Sequence, residues 1–123
     1  MCGGVLIASD VILTAAHCLE YVDFACLGVH DLQNFDEYHE CFEIYPENKL
    51  QYPYDEPNAH DGDYKLLYLG AQSSLSTISI INAASDIPWQ GEELTVMGWG
   101  QTETGYGSKV PLKTYLEAVT NSL

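Results

Sequence analysis

An all-β fold of antiparallel strands, arranged as a barrel or sandwich, is what this sequence predicts, on three observations. Apolar and β-branched residues come in short runs bounded by polar turns; ten glycines and five prolines punctuate 123 residues; and almost no stretch sustains the apolar period of a convincing helix. A hydrophobic content of 46% suffices for one packed core, and the length leaves no room for two complete domains.

The elements follow in order. Val5 to Ile7 and Val11 to Thr14 are β-branched and aliphatic runs separated by Ala8-Ser9-Asp10, the pattern of a hairpin with a polar turn. Ala15 to Cys18 makes a compact turn after the second strand. Phe24 to Val29 and Cys41 to Tyr45 are the next strands, joined by the polar segment Asp31 to Glu40; antiparallel pairing of these two brings Cys26 opposite Cys41. Pro46 to Gly62 carries three prolines and four acids without periodicity and reads as an extended surface loop that delivers the chain to Asp63. Asp63 to Leu69 has a spacing compatible with a helix, but in this company it is expected to be a strand. Thr77 to Ile81 is a strand by its β-branched content, Asn82 to Gly91 a connector, Leu94 to Trp99 a strand, Thr102 to Pro111 a glycine-bearing loop, and Leu112 to Thr120 a last, alternating strand.

Charge narrows the partners. The net charge is −14, from 18 acids against four lysines and no arginine, which repels a phosphate backbone and excludes nucleic acid as a partner. No apolar run reaches membrane-spanning length. Ten of the acids lie between Asp31 and Asp63, which reads as a solvated acidic loop surface rather than a specific cation site, and its sign would suit a basic protein partner.

Four cysteines permit three pairings, and the spacings of 16, 8 and 15 between Cys2, Cys18, Cys26 and Cys41 do not match a zinc ribbon or finger. The pairing expected is Cys2 with Cys18 and Cys26 with Cys41, each closing a loop of about 15 residues and contributing on the order of 3 kcal/mol. Bridged cysteines imply an oxidising, extracellular setting. Met1 stands directly before Cys2 with no export signal between them, so an upstream segment is expected to be missing.

Several segments then occur in a telling order: Cys2-Gly3-Gly4, Thr14-Ala15-Ala16-His17-Cys18, Leu27-Gly28-Val29-His30-Asp31, Asp63 to Leu69, and Gly98-Trp99-Gly100. Together they resemble the trypsin-like (chymotrypsin-family) serine proteases, over nearly the whole chain. The resemblance implies an antiparallel β-barrel of the trypsin-like type, with a first barrel over residues 1–93 that is nearly complete but lacks its opening strand. Residues 94–123 would start an incomplete second barrel with two strands, leaving Val96, Trp99, Leu112 and Leu116 without part of their core and the C-terminal portion mobile or sticky.

It also implies a serine-type endopeptidase acting on polypeptide substrates. His17 would be the general base, suited by an imidazole that titrates near neutrality. Asp63, which lies 46 positions later, would accept the Nδ1 proton and fix the ring's tautomer. Asp61 is the nearest rival to Asp63, and His30, His39 and His60 read as loop or strand-end residues. The family's nucleophile sits in a Gly-Asp-Ser-Gly-Gly segment, and nothing like it occurs here; Ser108, the serine that follows a glycine, reads as a turn residue. The expectation is therefore a fragment inactive alone, with a non-catalytic protease-like binding module as the alternative. No cofactor or metal is expected. Some family members hold calcium in the loop resembling Val29 to Glu40, but Val29 stands where they carry a glutamate, despite Asp31, Asp36, Glu37 and Glu40.

Overall fold

A computed structural model describes residues 2–18, 22–34, 36, 39–51, 62–80 and 87–119. They fall into two compact units, one of Met1–Val29 with Asp36–Ser79 and one of His30–Phe35 with Ile80–Leu123. The fold is all-β, with every strand pair antiparallel.

In the first unit, the two leading apolar runs become β1 (Gly4–Ala8) and β2 (Val11–Thr14), a hairpin in the register Gly4↔Thr14, Val5↔Leu13 and Leu6↔Ile12 that shifts before Ala8↔Val11. Gly4 is required where it stands: a Cβ there would lie 2.7 Å from Ile12 Cγ2 and 3.1 Å from the Leu13 carbonyl. β3 (Phe24–Leu27) pairs with β4 (Glu40–Glu43), setting Cys26 opposite Cys41 as the strand reading expected.

Two expectations need correction. The stretch read as a loop from Pro46 contains β5 (Lys49–Gln51), directly after a 3₁₀ turn at Pro46–Asn48; it forms because β6 (Lys65–Tyr68) offers an open edge, not because its own pattern demands a strand. The run from Thr77 is not a strand over its described residues 77–80. Its Ile78 N–H donates to the Leu6 carbonyl at 2.8 Å, one of three bonds, with Leu69 N–H to Asp10 and Ser73 N–H to Ser9, that fasten this segment along the first hairpin.

The sheet order is β1-β2-β6-β5, with β3-β4 a separate pair, so the barrel is open among the described strands. Period-two alternation places Leu6, Ile12 and Leu67 side by side across three strands, and with Ile44 and Leu69 they form the core, each no more than 9% exposed. Each such burial contributes about 1.5–3 kcal/mol. Among the described residues, two polar side chains are also buried, Lys65 and Ser73. Lys65 shares the inward face with Leu67, and burial pushes its ammonium pKa down, with the nearby Lys49 charge adding to the effect.

In the second unit, β7 (Glu93–Gly98) and β8 (Leu112–Glu117) pair from Glu93↔Glu117 to Gly98↔Leu112. The Trp99 indole N–H donates to the His30 carbonyl at 3.1 Å, and Leu32 N–H to the Lys109 carbonyl at 2.9 Å. All six residues of β8 are exposed, and Val96, Leu112 and Leu116 are 46%, 48% and 55% exposed. Among the described residues, no helix is long and apolar enough to cross a membrane.

Candidate active site

The site is built where β2 ends and β6 begins. These strands pair in the register Thr14↔Lys65. Continuing that antiparallel register two residues brings Asp63 opposite Ala16, next to His17, so the β2–β6 pairing draws together residues 46 positions apart. Thr14 Oγ1 donates to the Gly3 carbonyl at 2.7 Å, fixing the strand end, and the chain then turns through a 3₁₀ segment, Ala16–Cys18, whose Ala16 is buried. The Cys2–Cys18 disulfide, with Cα atoms 5.8 Å apart, ties this turn to the start of β1. On the other side, Gly62 takes a left-handed φ of 80° and accepts the Tyr64 N–H at 2.7 Å, a tight turn centred on Asp63.

Asp63 grips His17 with both oxygens. Oδ1 accepts the backbone N–H of His17 at 2.9 Å, and Oδ2 lies 2.7 Å from the ring Nδ1. The backbone N–H first, and the ring second, hold the Asp63 carboxyl below the usual range; the charged form is the one these donors stabilise. An ionised carboxylate only accepts, so Nδ1 carries a proton and, in the neutral ring, Nε2 presents a lone pair. The His17 side chain is 61% exposed and Asp63 27%, so the ring is accessible to an approaching group while the carboxylate is more sheltered. Such an arrangement accepts a proton at Nε2 and spreads the resulting charge toward Asp63.

The sulfurs of Cys2 and Cys18 and a ring nitrogen of His17 gather within 4.8 Å of one another, with His17 Nε2 3.7 Å from Cys18 Sγ. As a disulfide the sulfurs offer no thiolate, so in this state they are not metal ligands.

The remaining residues singled out from sequence lie elsewhere or are otherwise employed. The Cys26–Cys41 bridge staples β3 to β4. His39 packs its ring against Gly28, whose φ of 73° and close approach leave no room for a side chain. His30 contributes its carbonyl to Trp99, and Ser108 its N–H to the Trp99 carbonyl at 3.2 Å. Asp31 accepts the Gln33 N–H at 2.9 Å. His60, Asp61 and Glu37 are outside the described residues. Glu40, at the end of the acidic loop where calcium is not expected, is clasped by the Ser73 and Ser74 hydroxyls and the Ser74 N–H, and these bonds lower its pKa, that of Ser73 most. Sequence reasoning missed this clasp, and its partners are too remote in the chain, 33 and 34 positions on, to leave a local signal.

The sequence model of the family described as Trypsin matches residues 1–122. Human kallikrein-8 is 38% identical over 104 residues, an alignment covering 81% of this chain and 39% of that protein. Mouse cathepsin G is 28% identical over 113 residues, covering 89% and 42%. Among solved structures, human heparin binding protein superposes with a TM-score of 0.76 at 25% identity, over 94% of this chain and 54% of that one. The chain thus spans less than half the length of these two curated relatives.

Proposed function

Because the chain belongs to the trypsin family, we propose that it carries the general base and the orienting acid of a serine-type endopeptidase that cleaves polypeptides outside the cell. The observation that supports this most is the double grip of Asp63 on His17. In this reading His17 Nε2 takes the proton from a serine hydroxyl as it attacks the peptide carbonyl, then returns it to the leaving amine. Asp63 keeps the ring in the tautomer that leaves Nε2 free and stabilises the imidazolium formed in the transition state.

The nucleophile and its oxyanion hole are supplied by residues beyond these 123, which contain no Gly-Asp-Ser-Gly-Gly segment. Losing the nucleophile of a triad costs on the order of 10⁶-fold in turnover, so the 123 residues by themselves do not act as a peptidase. Residues 1–93 are read as the first barrel and 94–123 as the start of the second. The likeness to heparin binding protein does not bring that protein's named ligand with it, since a net charge of −14 opposes a polyanion.

The test starts from the coding sequence past Leu123. An in-frame Gly-Asp-Ser-Gly-Gly, in a protein that labels with a fluorophosphonate and loses labelling on His17→Ala, supports the proposal. A stop codon with no such segment, or labelling indifferent to His17, overturns it.

A further inference from the structure

We propose that the corner formed by Cys2, His17 and Cys18 is a reduction-gated metal site, closed while the disulfide is intact and able to bind one zinc ion once it is opened. Three ligand atoms of the right softness already lie within 4.8 Å of one another. Opening needs a dithiol reductant: two electrons pass from the dithiol to the Cys2–Cys18 bond, the dithiol closes to its own disulfide, and two thiols remain on the chain. Zinc binding then displaces both thiol protons to solvent, because the thiolate is the ligand.

The geometry fits with little movement. Tetrahedral zinc, with Zn–S near 2.3 Å and Zn–N near 2.0–2.1 Å, needs sulfur and nitrogen about 3.6 Å apart and two sulfurs about 3.8 Å apart. His17 Nε2 and Cys18 Sγ stand 3.7 Å apart already. With Cα atoms 5.8 Å apart, the two sulfurs reach their separation by side-chain rotation.

The ring is also prepared. Asp63 accepts from Nδ1 at 2.7 Å, which leaves the Nε2 lone pair available and raises its basicity, as an outer-shell carboxylate does for a zinc-bound histidine. Cys2 and His17 are exposed, so reductant and ion both have access. Among the described residues, no other cysteine, histidine or carboxylate joins the cluster, so the fourth position falls to solvent. The second disulfide, Cys26–Cys41, belongs to no such cluster among the described residues and gains no site on reduction. A bound ion would occupy the Nε2 lone pair, so the same event would remove a base at His17.

The experiment reduces the 123-residue chain with dithiothreitol, desalts it without oxygen, and titrates it with Co²⁺ followed by displacement with Zn²⁺. Thiolate-to-cobalt charge-transfer absorption reports the ligands. The expected result is one ion per reduced chain, none in the oxidised chain, none in Cys2→Ser/Cys18→Ser, affinity about 10- to 100-fold lower in Asp63→Ala, and a larger loss in His17→Ala, which removes a direct ligand. Reduced chain that binds no better than oxidised, or binding that survives removal of Cys2 and Cys18, overturns the proposal. So does binding indifferent to His17, which marks an opened chain held by its thiols alone. The readout involves no turnover, so it fails or succeeds independently of the peptidase reading.

Discussion

Asp63 holds His17 at two points, the backbone N–H at 2.9 Å and the ring Nδ1 at 2.7 Å, so one carboxylate fixes both where the residue sits and which ring nitrogen carries the proton. The orientation of the imidazole is thus locked by a residue that the β2–β6 register delivers, and disturbing either partner should be felt by the other.

Asp63→Asn should keep the backbone contact through the amide oxygen, which turns the uncharged N–H₂, a donor, toward Nδ1 where an acceptor stood. In a protein completed by its nucleophile segment, kcat should fall by about 10⁴ with KM little changed. Steady-state kinetics checks this, and a change confined to KM would speak against the role of Asp63.

Acid should loosen the same contact. The folded-state pKa of Asp63 is depressed, so its contribution to stability is fully present above the ordinary carboxylate range and is lost as pH falls through the lowered value. Denaturant midpoints of wild type and Asp63→Ala should therefore differ by a constant amount at neutral pH and converge only on strong acidification.

The crowding at Gly4 predicts a coupled pair. Gly4→Ala should cost about 1–3 kcal/mol through its clash with Ile12. In an Ile12→Ala background the contact with Cγ2 is gone and only the tight approach to the Leu13 carbonyl remains, so the cost should shrink without vanishing, which a double-mutant cycle by urea unfolding measures. Leu67→Ala, emptying a site 3% exposed, should cost about 2–5 kcal/mol with no such relief.

Both faces of the β7–β8 hairpin carry exposed apolar side chains, among them Met97 at 72%, Leu116 at 55% and Tyr115 at 53%. Leu116→Lys with Met97→Lys should reduce concentration-dependent self-association in light scattering without shifting the unfolding midpoint of the first unit.

How much of this was legible from sequence can be judged residue by residue. The β1–β2 hairpin was, because its apolar runs and polar turn are contiguous, and so was the Cys26–Cys41 register, because antiparallel pairing of two strands consecutive in the chain sets these cysteines opposite each other. The trypsin-like fold came from ordered motifs rather than from periodicity. β5 was hidden because a three-residue strand has no period to read and owes its existence to the neighbouring edge of β6. The run from Thr77 misled for the opposite reason: its β-branched residues favour extension, but in the described residues only the Ile78 N–H is bonded to the first hairpin's Leu6. Lys65 and Glu40 could not be placed by pattern, since a charge on a core-facing strand position and a carboxylate clasped by two distant serines are set by tertiary packing.

The ring of His17 offers the most direct measurement. In ¹⁵N-labelled chain, at a pH where the imidazole is neutral, proton–nitrogen correlation should find the proton on Nδ1 and Nε2 bare, and Asp63→Ala should abolish that preference. A proton resident on Nε2, or a tautomer unchanged when Asp63 is removed, would contradict the pairing on which the proposed chemistry rests.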